Sequence, residues 1–352
     1  MSLEWGSGFE NISSSAHLAA GGALFTSNNA GTSTTTARTG SRSLLLSSGA
    51  AIAYKTGLSN ASTRHTGIGM DFLDLLASAS RVIFAYADGI PTTAGNCQVS
   101  FQANPDGSIS AYRGRALGAT SGGTLLGSSA AGAIPASNAW YFLEFSVTFH
   151  ASTGTVEVFV NDVSVLSLTG QNTISTANAY ANAFGINGIT NGVYMDDIYL
   201  VTGTGGTTTT RLGPGARFWP MVASAGDGTN AQFTPSTGTD NGAMVDDSTP
   251  DDDTTYNSST TIGNKDTYNF AALGRTGDVK GVFIRNMCRS DSGAAGVRNI
   301  ARIGGTDYFS GAMALTTSYT LQVSIHELSP ATSSPWTVSE IDGAEFGVEH
   351  NS

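Results

Sequence analysis

Between Trp140 and Leu168 apolar and polar residues change places at nearly every step, and this alternation restricts the chain to half-buried β-strands. Tyr141, Leu143, Phe145, Val147 and Phe149 interleave with Glu144, Ser146 and Thr148, the period of two that leaves one face of a strand buried. Ala151-Ser-Thr-Gly154 turns the chain, Val156, Val158 and Val160 alternate in their turn, and Asn161-Asp162 leads into a strand over Val163–Leu168. Upstream, Arg81–Tyr86, Cys97–Phe101 and Ser108–Tyr112 read as strands, the last two joined by the turn sequence Asn104-Pro-Asp-Gly107. Gly40–Leu46, Gly67–Phe72, Ala183–Ile186 and Val193–Val201 complete the set. A strand and a turn every ten or so residues, roughly, is the signature of a sandwich or barrel.

With 352 residues the chain exceeds one ordinary sandwich and suits two domains with separate cores. Its 44 glycines and 12% charged residues favour tight turns over helices, while 40% apolar residues exclude a disordered chain. Periodicity stops at Thr202-Gly-Thr-Gly-Gly-Thr-Thr-Thr-Thr210, as it does in a linker. The predicted division is therefore a first domain over 1–202, a Thr/Gly linker over 203–215 and a second domain over 216–352. In the latter, Gly281–Arg285, Gly296–Ile303 and Ser318–Ile325 read as strands, and Thr337 with Glu340 has capping-box spacing. A short helix from Val338 to about Phe346 follows from it, on a small β-sandwich. The fold class is all-β, two sandwich domains.

A net charge of −11 excludes a nucleic-acid footprint, which requires clustered Lys and Arg. No apolar run reaches the roughly 20 residues of a membrane span, and the opening Met-Ser-Leu-Glu-Trp lacks a secretory pattern; no membrane insertion and no secretory signal are expected. Cys97 and Cys288 lie in different predicted domains and are read as buried thiols. His17, His65, His150, His326 and His350 have no ligand or triad spacing, and no glycine run has the form of a phosphate loop.

Trp140-Tyr-Phe-Leu-Glu-Phe-Ser-Val and Gly154-Thr-Val-Glu-Val-Phe-Val-Asn-Asp162 resemble the penultimate hairpin of LamG/concanavalin-like lectin domains, and Met195-Asp-Asp-Ile-Tyr-Leu200 resembles their last strand. Gly8-Phe-Glu-Asn11, with Gly40–Leu46, is similar to the start of carbohydrate-binding jelly rolls. The resemblance implies a jelly roll over the first domain. Downstream, Phe233-Thr-Pro-Ser-Thr-Gly, Val245-Asp-Asp, Asp253-Thr-Thr-Tyr256, Gly263-Asn-Lys-Asp-Thr-Tyr268 and Leu328-Ser-Pro-Ala-Thr-Ser-Ser-Pro-Trp-Thr337 are similar, in this order, to a family of tailed-phage virion proteins. That implies a tail, fibre, spike or head-decoration subunit assembled in the host cytoplasm. Its partners would be other virion proteins, further copies of itself and a host surface polysaccharide. The alternative is a purely architectural subunit that docks through patches and strand edges. The virion family supplies no site residues.

Asp196 and Asp197 are neighbours on a strand, so they are expected on opposite faces with at least one in solvent. The jelly-roll resemblance implies that Asp197 and Glu10 help hold a structural calcium; the alternative is a backbone contact near the first strand. Asp246, Asp247, Asp251, Asp252 and Asp253 either gather a cation or form a solvated loop, without EF-hand spacing. Glu340-Ile-Asp-Gly-Ala-Glu345 matches the Glu-x-Asp-x-x-Glu pattern of laminarinase-type hydrolases. The capping box, Gly343 and its place in the second domain oppose that reading, so no catalytic residue is assigned. For sugar contact, the loop and strand-end candidates are Tyr112, Arg113, Arg115, Tyr180, Asn187 and Asn191.

Overall fold

The computed structural model describes residues 2–12, 17–18, 24–75, 79–135, 137–248, 250–292 and 294–352. The chain forms two compact units, one of Met1–Phe9 with Leu24–Phe218, the other of Glu10–Ala23 with Trp219–Ser352. The first contains β1 (Leu3–Ser7), β2 (Ser27–Asn28), β3 (Gly31–Ser33), β4 (Ser43–Leu46), β5 (Ile52–Lys55), β6 (Thr63–Phe72) and β7 (Arg81–Ala87). It continues with β8 (Cys97–Ala103), β9 (Ile109–Arg113), β10 (Thr124–Ser128), β11 (Trp140–Thr148), β12 (Gly154–Val160), β13 (Val163–Gln171), β14 (Ala183–Asn187) and β15 (Val193–Thr202).

These strands build two antiparallel sheets. One has eight strands in the order β13-β12-β11-β6-β15-β4-β3, with β1 also on β15; the other has seven in the order β10-β9-β8-β7-β14-β5-β2. The aromatic residues at alternate positions are what hold the layers together. Phe84 of the seven-stranded sheet stacks on Phe145 of the eight-stranded one at 4.9 Å between centroids, with Tyr86 edge-on at 4.8 Å. Tyr86 Oη donates to Thr66 Oγ1 at 2.7 Å, so the phenol keeps a partner in the core. Gly67 is required where Tyr199 crosses β6, because a Cβ there would lie 2.2 Å from the ring.

The outer face of the eight-stranded sheet is covered in part by the segment that composition marks as a linker. Arg211 Nη1 donates to Glu144 Oε2 at 2.8 Å, Gly213 N to Glu144 Oε1 at 2.8 Å and Leu212 N to Tyr199 Oη at 2.7 Å. Arg211 also lies 3.9 Å from the Phe159 ring centre. Residues 203–215 are thus a strap pinned to the first unit, and the division falls after Phe218. Glu144, polar in the alternating pattern, is buried beneath it.

In the second unit, Ala223–Ala231, Lys265–Phe270, Glu345–His350, Gly296–Ile303 and Thr306–Phe309 form a sheet in that order, and Met313–Ala314 also pairs with Gly296–Ile303. Val282–Cys288 and Thr320–His326 pair separately and contribute Ile284 to a core with Ala301, Trp336, Ile341 and Phe346. The helix spans Val338–Asp342, with Thr337 Oγ1 accepting from Glu340 N at 3.1 Å as the capping box predicts. It ends earlier than predicted, because Gly343 stops it and Glu345–His350 is claimed by the sheet between two partner strands.

Candidate functional site

The outer face of the seven-stranded sheet brings together most of the residues singled out for sugar contact. Cross-strand register places Tyr112, Ser100, Ala85, Gly185 and Tyr54 in one row, each directly paired with the next. Half-buried tyrosines therefore stand on either side of a floor of small residues. Next to this row lie Gln102 and Asn187 on one side and Gln98 with Ala87 and Ala183 on the other, by the alternation of each strand. Ser100 Oγ and Asn187 Oδ1 are buried here without a hydrogen-bond partner. Unsatisfied oxygens of this kind cost stability and mark a surface that expects a donor. None of the seven strands contains an aspartate or glutamate; their basic residues Lys55 and Arg113 alternate away from Tyr54 and Tyr112.

A loop lies over the row. Leu117 packs with Val82, Ala85, Ala87, Cys97 and Ala183, and its Cδ2 would be 2.5 Å from a Cβ on Gly185. Leu117 N donates to the Pro91 carbonyl at 2.9 Å. Arg115 donates from Nη1 to Gln102 Oε1 at 2.5 Å and from Nε to the Gly122 carbonyl at 2.6 Å. Its guanidinium carbon lies over the Tyr112 ring, 3.3 Å from the centroid. Cys97 Sγ donates to the Pro91 carbonyl, and burial pushes its thiol up to about 12, so it is an inert packing group.

Of the six residues named for sugar contact, Tyr112 and Arg113 are half-buried on this sheet while Arg115 and Asn187 are buried on the same face. Tyr180 is half-buried at its rim, its carbonyl accepting from Gln98 Nε2 at 2.9 Å. Asn191 is exposed, on the turn before β15, 3.4 Å from Asp74 Oδ2, and does not belong to this face. Sequence reasoning missed Tyr54, Gln98, Ser100, Gln102 and Leu117. A lone leucine in the glycine-rich run Gly114-Arg-Ala-Leu-Gly-Ala-Thr-Ser-Gly-Gly123 was the available signal.

The paired aspartates turn out otherwise than expected. Both are fully buried, because β15 slips register against β6 between Asp196 and Tyr199 and Asp197 takes φ +49°. This bulge turns both carboxyls toward Arg38 and Thr39. Asp197 Oδ2 accepts from Arg38 Nη1 and Thr39 Oγ1, each at 2.7 Å, and Oδ1 accepts from Phe218 N at 2.8 Å. Arg217 lies 3.7 Å away. Two guanidiniums and filled acceptor sites do not fit a calcium ion, and Glu10 falls in a segment that groups with the other unit.

Asp196 Oδ2 accepts from the N–H groups of Arg38 and Thr39. Burial first, and then the adjacent Asp197, push its carboxyl up to about 8. A carboxyl raised on folding binds a proton as the chain folds, so its contribution is complete below about pH 4 and is lost as pH rises through about 8. Urea midpoints measured from about pH 5 to pH 8 should fall less steeply for Asp196→Asn than for the parent chain; equal slopes would refute this assignment.

In the second unit, Asp251 accepts from Thr255 and Asp253 from Arg289 and Tyr319, while Asp252 lies 3.6 Å from His17. Glu340, on the helix, accepts from Ser329 Oγ, whereas Glu345, on a strand, accepts from Thr229 Oγ1 and Thr267 Oγ1 at 2.6 Å each. The two glutamates of the hydrolase-like pattern sit on different elements and hold different loops. Among the described residues, no group of three or more His, Cys, Asp or Glu could hold a metal ion.

The architecture defines an all-β protein whose first unit is a two-sheet jelly-roll sandwich. No family model and no curated protein matches the sequence. Among solved structures, the alginate lyase Aly36B is 11% identical and aligns over 57% of this chain and 97% of its own at a TM-score of 0.37. The cellulose induced protein Cip1 is 13% identical over 53% of this chain and 88% of its own, at 0.36. Domain 4 of AbnA, a GH43 extracellular arabinanase from Geobacillus stearothermophilus solved with arabinotriose, is 14% identical over 57% and 92%, at 0.35. These similarities are remote, and the class stated here rests on the strand registers.

Proposed function

We propose that this protein is a non-catalytic subunit of a tailed-phage particle whose first unit holds polysaccharide against the outer face of the seven-stranded sheet. One observation carries the binding half of that reading: the row from Tyr112 to Tyr54 frames a small-residue floor between two phenol rings, with unpartnered Ser100 Oγ and Asn187 Oδ1 beside it. Sugar rings offer C–H faces to aromatic planes and hydroxyl donors to such oxygens. The particle half is supported by the ordered motifs of the second half, from Phe233 to Thr337. Copies displayed together turn weak single sites into firm attachment.

A glycan array probed with the full chain tests binding. A retained glycan should lose about tenfold in affinity with Tyr54→Ala, close to 1.4 kcal/mol, and keep most of it with Tyr54→Phe. Failure to retain any glycan, even on a dense array, would remove the binding half. Mass spectrometry of purified particles tests the other half, which falls if the chain is absent from them.

A further inference from the structure

We propose that the loop Gly114–Gly123 is a lid on this face, latched by Arg115, and that the ligand which unlatches it is an acidic glycan. The proposal rests on the reading of this face as the glycan site. Leu117, 4% exposed, lies over Gly185 and packs with Val82, Ala85, Ala87 and Ala183, so the middle of the floor between the two tyrosines is closed to a sugar ring while it is seated. Among the described residues, five hydrogen bonds fasten the lid to its surroundings: Arg115 Nη1 to Gln102 Oε1, Arg81 Nη1 to the Gly118 carbonyl at 3.0 Å, Leu117 N to the Pro91 carbonyl at 2.9 Å, Val82 N to the Ala119 carbonyl at 3.5 Å and, at its base, Gly114 N to the Gln98 carbonyl at 3.3 Å. Arg115 Nε to the Gly122 carbonyl closes the lid on itself.

All of these acceptors are neutral. A carboxylate adds its own negative charge and a bidentate fit to the guanidinium fork, neither of which the Gln102 amide oxygen offers, so a uronate can draw Arg115 away from Gln102. The strands beneath are free of carboxylates in a chain with 27 acidic and 16 basic residues, so nothing on them repels an anion. Release of Arg115 also uncovers the Tyr112 ring, on which it now lies. The loop is built to move: Gly114, Gly118, Gly122 and Gly123 have φ of +72°, +75°, +87° and +69°, a region from which glycine changes conformation without a steric barrier at Cβ. Opening exposes Ser100 Oγ and Asn187 Oδ1 to sugar hydroxyls; Gly118 lies over Asn187, where a Cβ would be 3.4 Å from Oδ1.

The full chain is titrated with a 1,4-linked uronic acid hexamer and with a neutral 1,4-linked glucose hexamer, and amide exchange is followed over 115–119. The uronate should bind more tightly, and its affinity should fall as salt rises. Leu117→Ser should gain about tenfold in affinity, since a closed site lowers apparent affinity by its open fraction, and should exchange faster over the lid. Gly118→Ala, strained at φ +75°, should act in the same direction without altering the plug. Arg115→Gln should lose the preference for uronate. Equal affinity for the glucose hexamer overturns the ligand class. Unchanged affinity together with unchanged exchange in both lid variants overturns the lid. Binding of neither hexamer by any variant overturns the glycan reading of this face, while the exchange data still decide the lid.

Discussion

Arg38→Ala should lower the stability of the first unit by about 3 to 5 kcal/mol, the range seen when one partner of a buried ion pair is removed. Arg38 has 8% of its side chain exposed and Asp197 none. Besides Asp197, the guanidinium donates to the Pro214 and Ala216 carbonyls and lies 4.3 Å from the Phe142 ring centre. Alanine would leave Asp197 charged beside Asp196 with only Thr39 Oγ1, Phe218 N and the more distant Arg217 to answer it. Burying an unanswered carboxylate costs more than the lost pair gained. Urea unfolding measures the difference. A double change that removes both charges, Arg38→Met with Asp197→Asn, which keeps a residue that tolerates φ +49°, should cost less than Arg38→Ala alone. A loss under about 1 kcal/mol for the single variant, the scale of an exposed pair, would show that the cluster behaves as if solvated.

Phe84→Ala should be of similar size, about 3 to 5 kcal/mol, for a different reason. Phe84 is fully buried and its ring meets Tyr86, Phe101, Phe145 and Phe184 at centroid distances of 4.8, 6.2, 4.9 and 6.1 Å. Neighbours of that size, themselves locked by contacts across both sheets, collapse poorly into the space left behind. In a unit of this size the melting temperature should drop by roughly 10 °C. Phe84→Leu, which refills most of the volume, should recover more than half of the loss; a deficit equal to that of alanine would indicate that ring stacking rather than volume dominates.

The strands whose alternation is strict were legible from the sequence. Those around Trp140, Val156, Val193 and Gly296 lie within a few residues of where the pattern places them. Short edge strands such as Ser27–Asn28 and Thr124–Ser128 were not, because two to five residues cannot display a period and their pairing is supplied by the neighbour. Asp196 and Asp197 show the limit of alternation: one bulge with a positive φ cancels the rule that successive side chains part. Asn187 and Arg115 were selected as polar loop or strand-end residues and lie on the proposed face. That Asn187 is buried depends on Gly118 arriving over it, and Arg115 is covered where Gly123 folds back on it, tertiary contacts with no periodic trace. Tyr54 stayed hidden because Ile52–Lys55 is a four-residue strand whose role appears only through its register with Gly185.

The strap sets where the first unit can be cut. Composition invites a boundary at Thr202, where regular structure stops, yet a chain ended there would leave Glu144 without Arg211 and Gly213, and Asp197 without Phe218 and Arg217. Arg38 would lose two of its carbonyl acceptors as well. Two interior carboxylates would then face water on an opened sheet, together with the Phe142 and Tyr199 rings. A fragment meant to fold alone must run through Phe218, and the threonine-rich stretch is better understood as the last piece of the sandwich than as the first piece of a tether.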